Sequence, residues 1–193
     1  MGRYTLKAIY LFLILFVFVV NASAGTYRHP KTGVFFPEAV GDVRLIDTKD
    51  YEKENPGLGV GIMYRTNTFK ADFFLYDMGN PSIPSGVASP VITAQFEQAR
   101  GDVYALQQRG MYKDVATQVQ NETVNADGFP FLHAKMTFEQ DNIKRVSHLY
   151  LTGYKGYFVK ARITYFQDDA ARGERSLAEF LNVLGASLKE ASR

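Results

Sequence analysis

Apolar residues recur along this chain with three different spacings, and each spacing points to a different kind of element. The first is an unbroken run from Ala8 to Val20, preceded by Arg3 and Lys7 and followed by Asn21-Ala22-Ser23-Ala24. A charged start, an apolar middle shorter than the ~20 residues of a bilayer span, and an exit of small residues make the layout of a cleavable secretion signal. Cleavage is expected after Ala24, which leaves residues 25–193 as one domain; the alternative is an uncleaved membrane anchor, since Tyr4–Val20 could almost span a bilayer if tilted.

The second spacing is alternation, the mark of half-buried strands. It runs through Asp42–Asp47 and Lys70–Asp77, beside a short aromatic run between turn residues at Gly33–Pro37 and β-type residues at Leu58–Arg65, with Thr66-Asn67-Thr68 as a hairpin turn. It returns in Tyr112–Val124, Phe129–Glu139, Ile143–Thr152 and Tyr157–Phe166, separated by turn residues at 125–128, 140–142 and 153–156. Connections this short leave no room for crossover helices, so these last four strands must pair antiparallel.

The third spacing, of three and four, predicts two helices. Ile92, Phe96, Ala99, Val103 and Leu106 form one stripe, with Ser89 as cap and Pro90 in the first turn. Leu177, Phe180, Leu181, Leu184 and Leu188 form the other, in a helix starting near Asp169. Between the two halves, Gly79–Ser89 carries prolines and glycines that break both ladders and helices. It is expected to be a loop, either a contact for a partner with Ile83 and Val87 as exposed anchors or a plain connector.

The order of strands, helix, four strands and helix describes an α+β domain. Its antiparallel sheet should have about six to seven strands, with helices packed on its faces. The opening Tyr27-Arg28-His29-Pro30-Lys31-Thr32-Gly33-Val34-Phe35-Phe36-Pro37, the later meander, the phrase Phe158-Val159-Lys160-Ala161-Arg162-Ile163-Thr164-Tyr165 and the terminal helix together resemble the PsbP-like superfamily. That resemblance implies an α/β/α sandwich and a non-enzymatic accessory role, and it transfers no catalytic residue.

Charge narrows the partners. The whole chain holds 22 Lys and Arg against 20 Asp and Glu; losing residues 1–24 removes Arg3 and Lys7 and no acid, giving 20 against 20. A neutral domain lacks the electrostatic drive of nucleic-acid binding. With no cysteine there is no disulfide, thiolate metal site or cysteine nucleophile.

Candidate chemistry is sparse. The histidines are His29, His133 and His148. A turn centred near Asp141 would pair His133 with Leu149 and put the last two on opposite faces, which argues against a two-histidine metal site. A triad of Ser147 or Ser85, His148 and Asp72 or Asp77 lacks a nucleophile elbow, and neighbouring Ser147 and His148 point to opposite sides of a strand. The glycines of Gly57-Leu58-Gly59-Val60-Gly61 precede a strand, whereas a phosphate cradle needs a helix there.

Lys160 and Arg162 share a strand face with Phe158, Thr164 and Phe166, so two cations stand among apolar neighbours and need partners. The candidate ligand-binding set is Lys160, Arg162, Asp72, Tyr76, Tyr150 and His148. The reading that follows is an exported, periplasmic or secreted, monomeric binding or accessory protein without cofactor or metal. Its partner is a protein or a small anionic ligand, and it meets the membrane only through the signal before cleavage. The alternatives are a hydrolase using a histidine and a carboxylate, or a sensor of anions around Lys160 and Arg162.

Overall fold

The computed structural model describes residues 25–193; the expected export signal lies outside the described residues. The chain opens with a two-stranded ribbon, β1 (Tyr27–Arg28) on β2 (Phe35–Phe36). A first meander follows, made of β3 (Ala39–Val40), β4 (Val43–Asp50), β5 (Val60–Arg65) and β6 (Phe69–Tyr76). After helix α1 (Pro90–Gln108) comes a second meander, β7 (Lys113–Ala126), β8 (Phe129–Gln140), β9 (Ile143–Tyr154) and β10 (Tyr157–Phe166), and then helix α2 (Ala170–Ala191).

The two meanders join edge to edge through β6 and β10, giving one eight-stranded antiparallel sheet in the order β3-β4-β5-β6-β10-β9-β8-β7. This exceeds the six to seven strands expected. Phe35–Phe36 leaves the sheet to pair with Tyr27–Arg28, and Ala39–Val40 takes the edge. Strands of two residues are too short to show any period.

Three tight turns set the register of the second meander. Asp127 and Gly128, Asp141 and Asn142, and Lys155 and Gly156 all have positive φ, from 46° to 93°. Each pair is the two-residue loop of a type I′ hairpin, whose twist matches that of the strands. The turn at 141–142 therefore pairs Gln140 with Ile143 and His133 with Tyr150.

Each helix covers a different face. α1 lies over β7, β8 and β9, and its buried Ile92, Phe96, Ala99 and Val103 meet Leu132, Met136, Leu149, Leu151 and Phe158. Its start is closed by the Ser89 side chain, which accepts from the Val91 N–H at 3.3 Å. On the other face α2 buries Leu177, Phe180, Leu184 and Leu188. The Phe180 ring sits 4.9 Å from that of Tyr64 and 5.7 Å from those of Phe69 and Phe73. Two glycines let α2 come close: a Cβ at Gly173 would stand 2.3 Å from the Tyr165 ring, and one at Gly185 would stand 2.3 Å from the Ala126 carbonyl oxygen.

The segment after β6 corrects one expectation. Ile83 is buried rather than exposed, at 4%, and Val87 packs beside it against the α1 core. Gly86 pairs with Gly153 across the sheet end, where a Cβ on Gly153 would strike the Pro84 carbonyl. The loop is thus folded down onto the sheet. Among the described residues no helix is long and apolar enough to cross a membrane.

Candidate functional site

Strand alternation decides which of the expected site residues can meet. Lys160, Arg162, Asp72 and Tyr76 point to the α1 face, while His148 and Tyr150 point to the α2 face, under which Tyr150 joins the helix core. The sheet separates the six into two groups. No single ligand can touch both.

On the α1 face the four diverge again. Arg162 donates Nε to the Ser147 hydroxyl and Nη2 to the Tyr112 hydroxyl, both at 3.3 Å, and lies over the rings of Tyr112 and Phe138. Asp72 pairs with Arg65. These two charges are committed to the fold. Lys160 and Tyr76 are not.

Because α1 covers the second meander, its flank leaves a cleft of about 280 Å³ over β6 and β10. Phe74, Tyr76 and Lys160 form its floor, Gln95, Gln98 and Asp102 line it from α1, and Tyr51, Leu58 and Met78 form the outer rim. The rim is fixed by the loop between β4 and β5: the Gly57 carbonyl accepts from the Met78 N–H at 2.8 Å, and Glu52 Oε2 accepts from the Gly57 and Gly59 N–H groups. Leu58 and Met78 remain 40% and 48% exposed.

Two polar groups in this cleft lack partners. Tyr76 is 5% exposed, and its hydroxyl has no hydrogen-bond partner among the described residues, although the Gln95 side chain is near enough to pull the phenol down against the effect of burial. The Lys160 ammonium stands 4.5 Å from the Phe74 ring centre and 5.3 Å from that of Tyr76. Burial pushes this ammonium below its ordinary value, Arg162 adds to the effect, and Asp102 and Asp72 oppose it. Burial likewise pushes the Tyr76 phenol above its usual range.

Under α2 the I′ turn brings together what the sequence reading had kept apart. His133 Nε2 lies 3.0 Å from His148 Nδ1, with the rings stacked at 5.2 Å. The pair belongs to a chain of hydrogen bonds. Glu122 Oε1 meets His133 Nδ1 at 2.7 Å, His148 Nε2 meets the Tyr165 hydroxyl at 3.1 Å, and that hydroxyl donates to Glu174 Oε1 at 2.5 Å. Lys135 closes it on Glu174 at 3.0 Å.

Proton counting shows the state of this chain. The four contacts in line from Glu122 to Glu174 need four protons, whereas two neutral imidazoles and the Tyr165 phenol supply three; the Tyr150 hydroxyl stands beside the line, 3.4 Å from His148 Nδ1. With Tyr165 donating to Glu174, the contact at His148 Nε2 is the one left without a proton. Burial, and then the neighbouring His133, push His148 down to about 4, and burial lowers His133 as well, against the pull of Glu122. Burial alone would raise Glu174, but the Tyr165 and Lys135 hydrogen bonds outweigh it and hold the carboxyl below its ordinary value.

Chemically, three of the four ring nitrogens are spent on Glu122 and on the contact between the histidines, and the fourth, His148 Nε2, faces the buried Tyr165 hydroxyl. The two histidines are 6% and 4% exposed, and the Lys160 cleft lies on the far side of the sheet. Ser147, next in sequence to His148, faces the other way and bonds the Thr164 hydroxyl at 2.8 Å. A serine–histidine pair is therefore absent there, and among the described residues no three His, Asp or Glu converge as a metal site would require.

A second cleft of about 250 Å³ is lined by Tyr27, His29, Lys31, Asp50, Glu52 and Tyr157, among others. His29 Nδ1 accepts from the Thr32 N–H at 3.2 Å. Burial, and then Lys31, lower it to about 4. Glu52 is occupied in bracing the loop described above.

No family model matches this sequence, and no curated protein does. Solved structures do. The chain is similar to the cyanobacterial PsbP protein CyanoP of Synechocystis sp. PCC 6803, with 14% identity, a TM-score of 0.53, and coverage of 84% of this chain and 89% of that one. It is also similar to LpqN of Mycobacterium tuberculosis, a protein involved in cell envelope biogenesis, with 13% identity, a TM-score of 0.44 and 76% of each chain covered. The sheet, its order and the two flanking helices thus give this chain a PsbP-like fold.

Proposed function

We propose that this chain is an exported, non-catalytic binding protein that takes a small anionic ligand in the cleft over Lys160. The observation that carries the reading is the Lys160 ammonium, held over two aromatic rings without an ion pair or hydrogen bond to any described residue. Lys160 is half-buried and its ammonium reaches the cleft, so the part of its hydration already lost to the two rings is free energy that an incoming anion recovers. The buried, unpartnered Tyr76 hydroxyl beside it offers the anion a hydrogen bond. Export rests on the amino-terminal pattern of residues 1–24, and the non-catalytic reading on the burial of both histidines under α2, on the face away from the cleft.

The test is calorimetry of the exported protein with phenylacetate, compared with a Lys160→Met variant. Wild type is expected to bind, and the variant to lose at least tenfold in affinity while keeping its unfolding midpoint. Equal binding by both proteins would refute the site. Cell fractionation with mass spectrometry of the purified product reads export separately, with Gly25 as the expected first residue.

A further inference from the structure

The Lys160 cleft carries more than one sign of charge, and this points to the class of its ligand. Asp102, exposed on α1, lines the same 280 Å³ space as Lys160. The two influence each other electrostatically, yet they form no ion pair, although neighbouring charges on this face do so: Arg65 with Asp72, and Arg100 with Glu97. A lysine and an aspartate that line one cleft and stay apart leave room for a molecule between them.

The walls say what kind of molecule. Tyr51, Phe74 and Tyr76 supply three rings, and Leu58 and Met78 add exposed apolar surface at the mouth. Flat apolar bodies gain from offset and edge contacts with such rings, and thioether sulfur adds favourable contacts with an aromatic edge. Inorganic anions gain nothing from these walls. A cleft of this size suits a compact small molecule.

We infer that the ligand is an aromatic acid carrying a second, hydrogen-bond-donating group: its carboxylate meets Lys160 and the Tyr76 hydroxyl, its ring lies among Tyr51, Phe74 and Tyr76, and its donor meets Asp102. This rests on the reading of the cleft as an anion site and extends it. Lys160 alone would accept any anion. Asp102 makes the site choose among anions, because a carboxylate facing a ligand without a donor gives up hydration and gains no bond.

Calorimetric titration of the exported product with four probes tests this: phenylacetate, 4-hydroxyphenylacetate, the neutral alcohol 2-(4-hydroxyphenyl)ethanol and inorganic phosphate. Wild type should bind 4-hydroxyphenylacetate about tenfold more tightly than phenylacetate, as a hydrogen bond to a charged group implies. Phosphate and the neutral alcohol should bind more weakly than either acid. Asp102→Asn, on an exposed helix position, should shrink the preference for the hydroxyl to less than about threefold, and phenylacetate should bind at least as tightly as before because the unmet carboxylate no longer opposes it.

Equal affinity of wild type for the two aryl acids, or a preference that survives in Asp102→Asn, overturns the inference while the anion site stands. Phosphate binding as tightly as the aryl acids also overturns it. Failure of every anion to bind, or binding indifferent to Lys160→Met, overturns both readings together.

Discussion

The buried histidine chain makes a prediction about acid stability whose pH window is set by the structure. His148 is lowered from 6.5 to about 4 in the folded state, whereas an unfolded chain restores the ordinary value. Between those two values the unfolded state binds the proton and the folded state does not, so stability rises with pH across this window and is lost as pH falls through it. A shift from 6.5 to 4 implies that this one site removes about 2 kcal/mol between pH 7 and pH 5. That is a sizeable part of the roughly 5–15 kcal/mol that holds a domain together.

Urea denaturation at a series of pH values reads the loss, and His148→Gln identifies its source. Glutamine keeps donors and acceptors in place but cannot titrate. The wild-type curve should fall from pH 7 to pH 5, before Glu174, which is held below its ordinary 4.5, begins to contribute. The variant should be flatter over that interval by about the same 2 kcal/mol. His133, also lowered by burial, and His29, brought down to about 4, contribute the slope that remains, and His29→Gln removes the second share. An unchanged slope in His148→Gln would refute the proton count and the closed state of the chain.

Two predictions concern the α2 face. Gly173→Ala puts a methyl group 2.3 Å from the Tyr165 ring, and since Tyr165 is buried and bonded at its hydroxyl it cannot yield. A net loss of about 2 kcal/mol is expected despite the better helix propensity of alanine; a higher denaturation midpoint would show that α2 does not seat there. Phe180→Ala empties the space among Tyr64, Phe69 and Phe73 and should cost about 3–5 kcal/mol, read from the same urea curves. The Lys160→Met and Asp102→Asn titrations complete the set.

Both helices, their faces and the antiparallel second meander were legible from apolar spacing, because each long element repeats its pattern over several turns or pleats. Ser89 and Pro90 marked the start of α1 for the same local reasons that make them a good cap. What failed was one residue of register. Placing the turn on Asp141 alone sets His133 opposite Leu149, whereas Asp141 and Asn142 turn together and set it opposite Tyr150; in a strand a slip of one residue exchanges the faces. The signal was present, since an Asp-Asn pair between strand ends suits two consecutive positive φ angles.

The cleft was only half legible. Lys160 was flagged by standing among apolar neighbours and Tyr76 as a tyrosine that could assist an anion pocket, but Asp102 and Gln95 come from α1, and no spacing within β10 could show where that helix would lie. Arg162 drew attention by the same pattern as Lys160, and only the positions of Tyr112 and Ser147 reveal that it is engaged. Short strands β1 and β3 left no trace because two residues define no alternation.

The two sides of this molecule are mechanically unequal. α2 is keyed to the sheet at both ends, at Gly173 and Gly185, where backbone meets ring and carbonyl with no slack, so it can neither slide nor roll without opening the core. α1 has no such keys: its one internal glycine, Gly101, has nothing within 4 Å of the place a Cβ would take. Any movement that accompanies the filling of the cleft falls to α1, carrying Gln95, Gln98 and Asp102 with it, while the opposite half stays as the frame.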